Sequence, residues 1–171
     1  LKEDGTVVAW GRVNKQSDVP FGLKGVTEIS GGGMHSLALK EDGTVVAWGN
    51  NEFNACDVPY GLKKIIAVSG GWTHSLALKE DGTVIAWGNN NYSECDVPYG
   101  LKGVIAISAG GNHSLALKED GTVVTWGAND EKQCEVPYGL KGVIALSGGG
   151  YHSLALKEDG TVVAWGRVNK Q

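Results

Sequence analysis

The sequence has little of what membrane-spanning and nucleic-acid-binding proteins need. None of its 171 residues lie in an apolar run as long as the roughly 18 residues that indicate a membrane-spanning helix. The net charge is −4, from 15 basic and 19 acidic residues, and no basic cluster interrupts that balance. We therefore predict no membrane span and no nucleic-acid partner, because nucleic acids require an electropositive surface.

Cysteine is also scarce, and its spacing does not favour a metal site. The cysteines are Cys56, Cys95 and Cys134, and each lies 39 residues from the next. No Cys-x-x-Cys or Cys/His spacing typical of zinc ligands accompanies them. Equivalent points of adjacent repeats usually lie further apart than the roughly 7 Å that a disulfide allows between Cα atoms. We interpret these residues as free thiols, with bridges between chains as the alternative, and we predict no metal and no cofactor.

Repetition is what the sequence has in abundance. The stretch His-Ser-Leu-Ala-Leu-Lys-Glu-Asp-Gly-Thr-Val occurs four times in full, and a truncated fifth copy begins at Leu1. Successive copies are 38 or 39 residues apart, and such a period is typical of solenoids, propellers and other stacked arrays. The full copies begin at His35, His74, His113 and His152.

Each copy predicts a β-hairpin. Leu37 and Leu39 alternate with smaller residues, and the return segment 44–48 is β-branched and aromatic. Asp42-Gly43 supplies the positive φ of a tight turn. A short apolar run precedes each hairpin, which gives three strands per repeat. Three strands cannot bury a core alone, so the repeats must stack, and regular hairpins favour propeller blades over a β-helix.

The repeat also carries motifs at a recognisable spacing. Gly-Gly-x-x-His-Ser, Asp-Gly-Thr-Val and Trp-Gly follow one another along essentially the whole chain, and the pattern resembles the regulator of chromosome condensation repeat. The short period is similar to that of bacterial members and of the propeller-type β-lactamase inhibitor protein, whose blades have three strands. The resemblance implies an all-β propeller, commonly of seven blades, that presents loops to a protein partner. It slightly favours a secreted or cell-surface bacterial protein, and it does not identify the partner.

We interpret the chain as a single repeat domain, 1–171, with about four full blades. Residues 1–16 and 156–171 are identical, so both ends offer the same third strand and both cannot complete one blade. We hypothesise that the chain is not a self-closed four-bladed ring. It is either a segment of a longer array or, slightly favoured, one half of an eight-bladed ring of two copies. The predicted repeats are a partial 1–38, full 39–77, 78–116 and 117–155, and a terminal partial 156–171.

Positions that recur in every unit are scaffold candidates. The tryptophan before each Trp-Gly glycine is predicted to pack between blades, and each histidine to tie down its preceding turn through backbone hydrogen bonds. The aromatic residue after each proline is predicted to pack over the blade edge. A catalytic base would need an orienting acid and a nucleophile that differ between repeats, and none does, so we predict no enzyme. The scaffold set is His35, His74, His113, His152, Trp48, Trp87, Trp126 and Trp165, with Trp10 in the truncated copy.

Positions that differ between units are candidates for partner binding. One variable set precedes each histidine and a second follows each Trp-Gly. Met, Trp and Tyr are residue types that protein interfaces favour. Trp72, which departs from the Trp-Gly pattern, is expected to be partly exposed. The candidates are Met34, Trp72, Thr73, Asn112 and Tyr151 in the first set and Phe53 and Tyr92 in the second.

The favoured function is a non-enzymatic propeller scaffold that binds a protein through variable loops on one face. The first alternative is a structural, self-assembling repeat protein, as a tandem array or an oligomeric ring. A second is an inhibitor similar to the β-lactamase inhibitor protein. A propeller enzyme acting in a central channel would need unique acidic or histidine residues, and the sequence shows only repeated ones.

Overall fold

The computed structural model describes residues 1–11 and 15–167. In this part of the chain, four antiparallel sheets of three strands follow one another, and the only other regular element is a 3₁₀ turn at Lys15–Ser17. We call the sheets blades 1 to 4; they confirm the all-β prediction of four three-stranded blades. Blade 1 contains β1 (Val26–Gly31), β2 (His35–Lys40) and β3 (Val45–Gly49); blade 2, β4 (Ile65–Gly70), β5 (His74–Lys79) and β6 (Val84–Gly88); blade 3, β7 (Val104–Ala109), β8 (His113–Lys118) and β9 (Val123–Gly127); blade 4, β10 (Val143–Gly148), β11 (His152–Lys157) and β12 (Val162–Gly166).

The β2–β3 turn shows why each hairpin forms where the sequence predicts it. The Thr44 backbone N–H and hydroxyl donate to Asp42 Oδ1 at 3.0 and 2.6 Å. Gly43 has φ 75°, a conformation that costs glycine least. These hydrogen bonds lower the pKa of the Asp42 carboxyl to about 2, and the one from the Thr44 hydroxyl has the largest effect. The turn therefore holds its charge and closes the hairpin locally.

Adjacent blades share one apolar core at each junction. The forward face of a blade, toward the next blade, carries two leucines of the middle strand, such as Leu37 and Leu39. The rear face, toward the preceding blade, carries residues such as Ile65, Val68 and Trp87, and these pack against the two leucines. The same arrangement recurs between blades 2 and 3 and between blades 3 and 4. The fold is thus stabilised mainly at the junctions, as the size of a single blade requires.

The tryptophans divide into two groups. Four indoles are buried and 6–8% exposed. Trp87, Trp126 and Trp165 lie in the junction cores, and Trp48 lies in the cluster on the rear face of blade 1. Trp10 is 86% exposed, so the expectation that it packs between blades is wrong. The physical reason is that no strand of a preceding blade lies beside Trp10 among the described residues.

The aromatic residue after each proline is also not packed. Phe21, Tyr60, Tyr99 and Tyr138 are fully exposed, so the predicted packing over the blade edge is wrong. In the second blade's loop, the Leu62 N–H donates to Pro59 O at 3.3 Å, which places Tyr60 at the tip of the turn. Leu62 enters the junction core instead.

The strand directions sort the connections onto two sides of the molecule. The upper face, as we name it, carries the turns 32–34, 71–73, 110–112 and 149–151 and the loops 50–57, 89–96 and 128–135. Hydrogen bonds join these segments: Asn50 N–H donates to Met34 O at 2.8 Å, and Asn89 N–H to Thr73 O at 2.9 Å. The repeated Lys-Glu-Asp-Gly turns lie at the opposite, lower face. Both variable sets therefore lie on one side of the molecule.

Segment 1–11 lies against blade 1 in the place of a preceding third strand. Val7 packs on the cluster formed by Val26, Ala38 and Trp48. Gly5 lies against Val26, whose N–H donates to Gly5 O at 3.2 Å. The segment does not pair with blade 4, and Val162 of blade 4 is 63% exposed. The described chain is therefore not a self-closed four-bladed ring.

Candidate protein-binding surface

Three buried histidines link each blade to the next one. Nε2 of His35 lies 2.8 Å from Ser75 Oγ, Nε2 of His74 lies 3.0 Å from Ser114 Oγ, and Nε2 of His113 lies 2.9 Å from Ser153 Oγ. The sequence-based prediction had each histidine fixing its own turn through backbone bonds. The structure places the imidazole Nε2 instead in a side-chain hydrogen bond across the junction.

The serine partners fix the tautomer of these histidines. The Ser75 hydroxyl donates its one proton to Ala55 O at 2.9 Å, so the His35 Nε2–H must be the donor to Ser75 Oγ. Trp87 Nε1–H donates to the same carbonyl at 2.9 Å. The backbone carbonyl of Ala55, in the upper loop, thus accepts two hydrogen bonds. Ser114 and Trp126 bind Glu94 O, and Ser153 and Trp165 bind Gln133 O, in the same way.

Burial keeps these imidazoles neutral. It lowers the pKa of His35 and His113 to about 4 and that of His74 to about 3. Their Nδ1 atoms are buried without a hydrogen-bond partner in the described structure. A neutral imidazole closed off from solvent and already bonded serves as a structural link.

Trp72 lies on the upper face and contacts more than one blade. Its ring lies over glycines of the two following blades: a Cβ on Gly111 or Gly150 would stand 3.2 or 3.1 Å from the indole. It also meets Tyr151 edge to face, with ring centroids 5.2 Å apart and planes at 89°. Trp72 is 39% exposed, as the sequence led us to expect. One residue of blade 2 therefore spans blades 3 and 4.

Tyr151 also lies near a charged residue. The Arg167 guanidinium carbon lies 5.8 Å from the Tyr151 ring centroid, within the range of a cation–π contact. Arg167 also pairs with Glu131 at 3.7 Å. The aromatic pair of Trp72 and Tyr151 is thus flanked by a charged rim.

The other residues of the first variable set lie on the same upper turns and are not part of the aromatic pair. Met34 is exposed and lines a cleft with Lys15, Gln16 and Asp18. Thr73 is half-buried, and its hydroxyl has no partner in the part of the chain that the structure describes. Asn112 is half-buried, and its carbonyl accepts from Ala128 N–H at 2.8 Å.

The second variable set lies on pre-ordered loops. Tyr92 is 50% exposed and Phe53 is half-buried. Asn90 holds its loop by accepting from Cys95 N–H and donating to Asp96, both at 2.8 Å. The loop of Phe53 repeats this arrangement with Asn51, Cys56 and Asp57.

The cysteines have a role in these loops that their spacing did not reveal. Cys95 Sγ donates to Asn89 O at 3.1 Å and Cys134 Sγ to Ala128 O at 3.2 Å. Burial raises the pKa of Cys95 to about 12 and that of Cys134 to about 11. All three cysteines are free. Protonated, hydrogen-bonded thiols are poor nucleophiles for the bridges between chains that we held as an alternative.

Glu94 is a buried residue that the sequence did not single out. Its Oε2 accepts from Tyr92 N–H at 2.7 Å, while its Oε1 has no described partner. Burial raises the pKa of this carboxyl. Ala55 and Gln133 are its counterparts in the adjacent loops, and that variation was the only signal in the sequence. Glu94 thus supports the loop that presents Tyr92.

The described residues contain no group of three His, Cys, Asp or Glu side chains placed to hold a metal ion. Over the same residues, no helix has the length and apolar character to cross a bilayer.

Four segments of the chain match one family profile, described as the Regulator of chromosome condensation (RCC1) repeat, over residues 26–55, 65–94, 104–133 and 143–170. The chain belongs to the RCC1-repeat family. Each match begins with the first strand of a blade and continues past its third strand. Propellers built from RCC1 repeats are typically scaffolds for protein interaction.

Solved structures share the fold of this RCC1-repeat chain. The ectodomain of the Physcomitrella patens receptor kinase CR4 is 22% identical with a TM-score of 0.76, over 91% of this chain and 45% of that one. Yeast RCC1 (Prp20) bound to Kap60 is 23% identical with a TM-score of 0.72, over 82% and 43%. The CRINKLY WD40 ectodomain of Arabidopsis thaliana ACR4 is 23% identical with a TM-score of 0.71, over 82% and 50%. The chain therefore spans half or less of these proteins, and no curated protein matches it.

Proposed function

We propose that this protein is a non-enzymatic scaffold that binds a protein partner through its upper face. The observation that carries the proposal is the partly exposed edge-to-face pair of Trp72 and Tyr151. The positions equivalent to Trp72 are glycines in the other three blades, Gly33, Gly111 and Gly150. The chain thus places one large aromatic residue where the repeat has none.

The pair has the properties of an interface hot spot. Exposed, rigid aromatic side chains lose little conformational entropy on binding, and Trp and Tyr are enriched among residues that dominate binding energy. The glycines beneath Trp72 hold its ring in one orientation before a partner arrives. Around it, the proposed contact surface includes Met34, Thr73, Asn112, Phe53 and Tyr92.

The contrast between the two faces supports this choice of surface. The lower face repeats Lys-Glu-Asp-Gly in every unit, whereas the upper face differs in every unit. A surface that differs between otherwise equal repeats suits a single asymmetric partner. In the solved structures, yeast RCC1 is bound to Kap60, and Prp20p is described with binding to Gsp1p and histones. Those structures support a protein as the class of partner for this chain.

The test is a binding comparison between two exposed aromatic residues. Trp72→Ala removes the upper-face anchor. Tyr99→Ala removes a fully exposed ring that lines a cleft with Lys118, at the lower end of β8. Each protein is immobilised and incubated with an extract of the source cells. We expect the wild type and Tyr99→Ala to retain the same partner protein and Trp72→Ala to lose it. Partners lost with Tyr99→Ala and kept by Trp72→Ala would overturn the proposal. An inhibition assay with purified β-lactamase tests the inhibitor alternative directly.

A further inference from the structure

Acidic residues dominate the loops of the upper face. The three loops 50–57, 89–96 and 128–135 contain seven acidic residues and one lysine. The upper turns that carry Trp72 and Tyr151 contain no charged residue. An uncharged aromatic pair and acidic loops therefore share one side of the molecule. The acidic residues are Glu52, Asp57, Glu94, Asp96, Asp130, Glu131 and Glu135, and the lysine is Lys132.

The lower face does not share this imbalance. Each Lys-Glu-Asp-Gly turn has two acidic residues and one lysine, and the loop beside it supplies a further lysine. In blade 3, Glu119 N–H donates to Gly103 O at 2.9 Å, which brings Lys102 to the turn, and the same hydrogen bond recurs in the other blades. The charges of the lower face thus nearly cancel, and the surplus of acidic residues belongs to the upper face.

The upper carboxylates differ in how much charge they show to solvent. Glu52 and Asp130 are exposed, and neither forms an ion pair with another described residue. Glu94 is buried, and burial raises the pKa of its carboxyl, so it adds little negative charge at the surface. Lys15 and Asp18, ahead of blade 1, add one charge of each sign. Glu52 and Asp130 are therefore the carboxylates best placed to meet a cation from outside.

Two basic residues near these loops are already paired within the chain. Lys132 Nζ lies 3.8 Å from a carboxylate oxygen of Glu135, and the Arg167 guanidinium lies 3.7 Å from Glu131. Neither pair neutralises Glu52 or Asp130. The upper face thus keeps its negative character after its own cations are counted.

The aromatic pair can accept a cation from outside the chain. The Arg167 guanidinium carbon lies 5.8 Å from the Tyr151 ring centroid, which shows that a guanidinium has room beside this pair. Tryptophan is the strongest cation–π acceptor among the side chains, and Trp72 is 39% exposed. A lysine or arginine that reaches Trp72 from solvent would gain from the indole and from the acidic loops together.

We propose that the partner of the upper face is a protein with a basic surface, which places a lysine or arginine side chain on Trp72 and further cations against the acidic loops. The inference rests on the proposed function and specifies the chemical class of its partner. Opposite charges on the two surfaces steer their encounter and disfavour acidic competitors. The same loops repel nucleic acids, whose phosphates require basic contacts.

The first test selects short random peptides, displayed on phage, against the immobilised 171-residue chain. Peptides that bind the wild type and not Trp72→Ala are sequenced. We expect these peptides to be enriched in lysine and arginine over the unselected library. Peptides that depend on Trp72 without such enrichment would overturn the inference and leave the proposed function standing. Failure to select any peptide that depends on Trp72 would count against both.

The second test reverses charges on one face at a time and uses the most enriched peptide as the probe. Glu52→Lys with Asp130→Lys is expected to weaken its binding by at least about tenfold. Glu41→Lys with Glu119→Lys is the matched control, because it changes the net charge equally on the lower face. We expect the control to weaken binding by less than about twofold, since salt screens distant charges. All four side chains are exposed, so neither pair of substitutions removes a buried contact.

Equal weakening by the two pairs of substitutions would show that net charge, and not the acidic upper loops, attracts the peptide, and would overturn the inference. Binding that does not weaken as salt is raised would overturn it as well. Loss of binding in Trp72→Ala tests the proposed function separately from these charge reversals.

Discussion

At the scale of single residues, burial decides the chemistry of the titratable groups. Glu94 and the histidines of the first three blades are closed off from solvent by their neighbours. Burial raises the pKa of Glu94 and lowers that of His35, His74 and His113. All four groups therefore favour the neutral form, and their effects on stability have opposite dependence on pH.

Replacing Glu94 with glutamine is expected to stabilise the protein at neutral pH. The folded pKa is raised, so the Glu94 contribution is intact below its ordinary pKa of 4.5 and is lost as pH rises through the folded value. Gln133, its counterpart, already accepts from Glu131 N–H at 2.9 Å through Oε1. We expect a gain of about 1–3 kcal/mol at pH 7, and little gain at pH 4, from urea unfolding at both values.

Glu119→Gln, an exposed change in the lower turn of blade 3, is the control for Glu94→Gln. An equal gain from both variants would show that net charge, and not the buried carboxyl, controls the effect.

The histidines predict a loss of stability on mild acidification. Their folded pKa values are about 4, 3 and 4, below the ordinary 6.5. Their contribution is complete above pH 6.5 and is lost as pH falls through 6.5 toward 4, because only the unfolded chain takes up the protons. We expect each histidine to cost about 1.4 kcal/mol per pH unit in that window. Chemical unfolding as a function of pH should show this slope in the free energy of unfolding. His74→Gln should lower the slope by the contribution of one proton. An unchanged slope in His74→Gln would contradict a depressed pKa at His74.

At the scale of the blade, the junction and not the sheet is the unit of stability. Each junction combines an apolar core with the His–Ser–carbonyl link, and the indole of the following blade serves both. The hairpin sequence predicted the strands and the buried leucines correctly, because alternation and turn residues are local signals. The link between His35 and Ser75 joins residues 40 positions apart, and no local pattern indicates which serine a histidine will meet.

The two classes of tryptophan are expected to differ in their contribution to stability. Trp87→Ala removes a buried ring and its hydrogen bond to Ala55 O, and we expect a cost of about 3–5 kcal/mol. Trp72→Ala removes a partly exposed ring and its edge-to-face contact, and we expect about 1–2 kcal/mol. Thermal and urea unfolding measure both, and equal losses would show that Trp72 is a core residue and not a surface anchor.

At the scale of the whole molecule, stability is expected to be uneven along the array. Blades 2 and 3 are covered on both faces, whereas blade 4 is covered on one. In stacked repeats, stability is approximately the sum of repeat and junction terms, so blade 4 should open most readily. Hydrogen exchange of this 171-residue chain should be faster in β12 than in β6. Uniform protection would contradict this account.

The repeat, the three-stranded blades and the variable positions could all be predicted from the amino-acid sequence, because period, alternation and turn residues are local signals. The sequence also identified Trp72 and Tyr151 as exceptions to the repeat. The three-dimensional arrangement was needed to find that Trp72 lies across Gly111 and Gly150 and contacts Tyr151. It was also needed to find that Trp10 and Tyr60 are exposed and that Cys95 and Cys134 donate hydrogen bonds within their loops. These features depend on how each blade packs against the next one. The sequence of a single repeat does not indicate which residues of the next repeat it will contact.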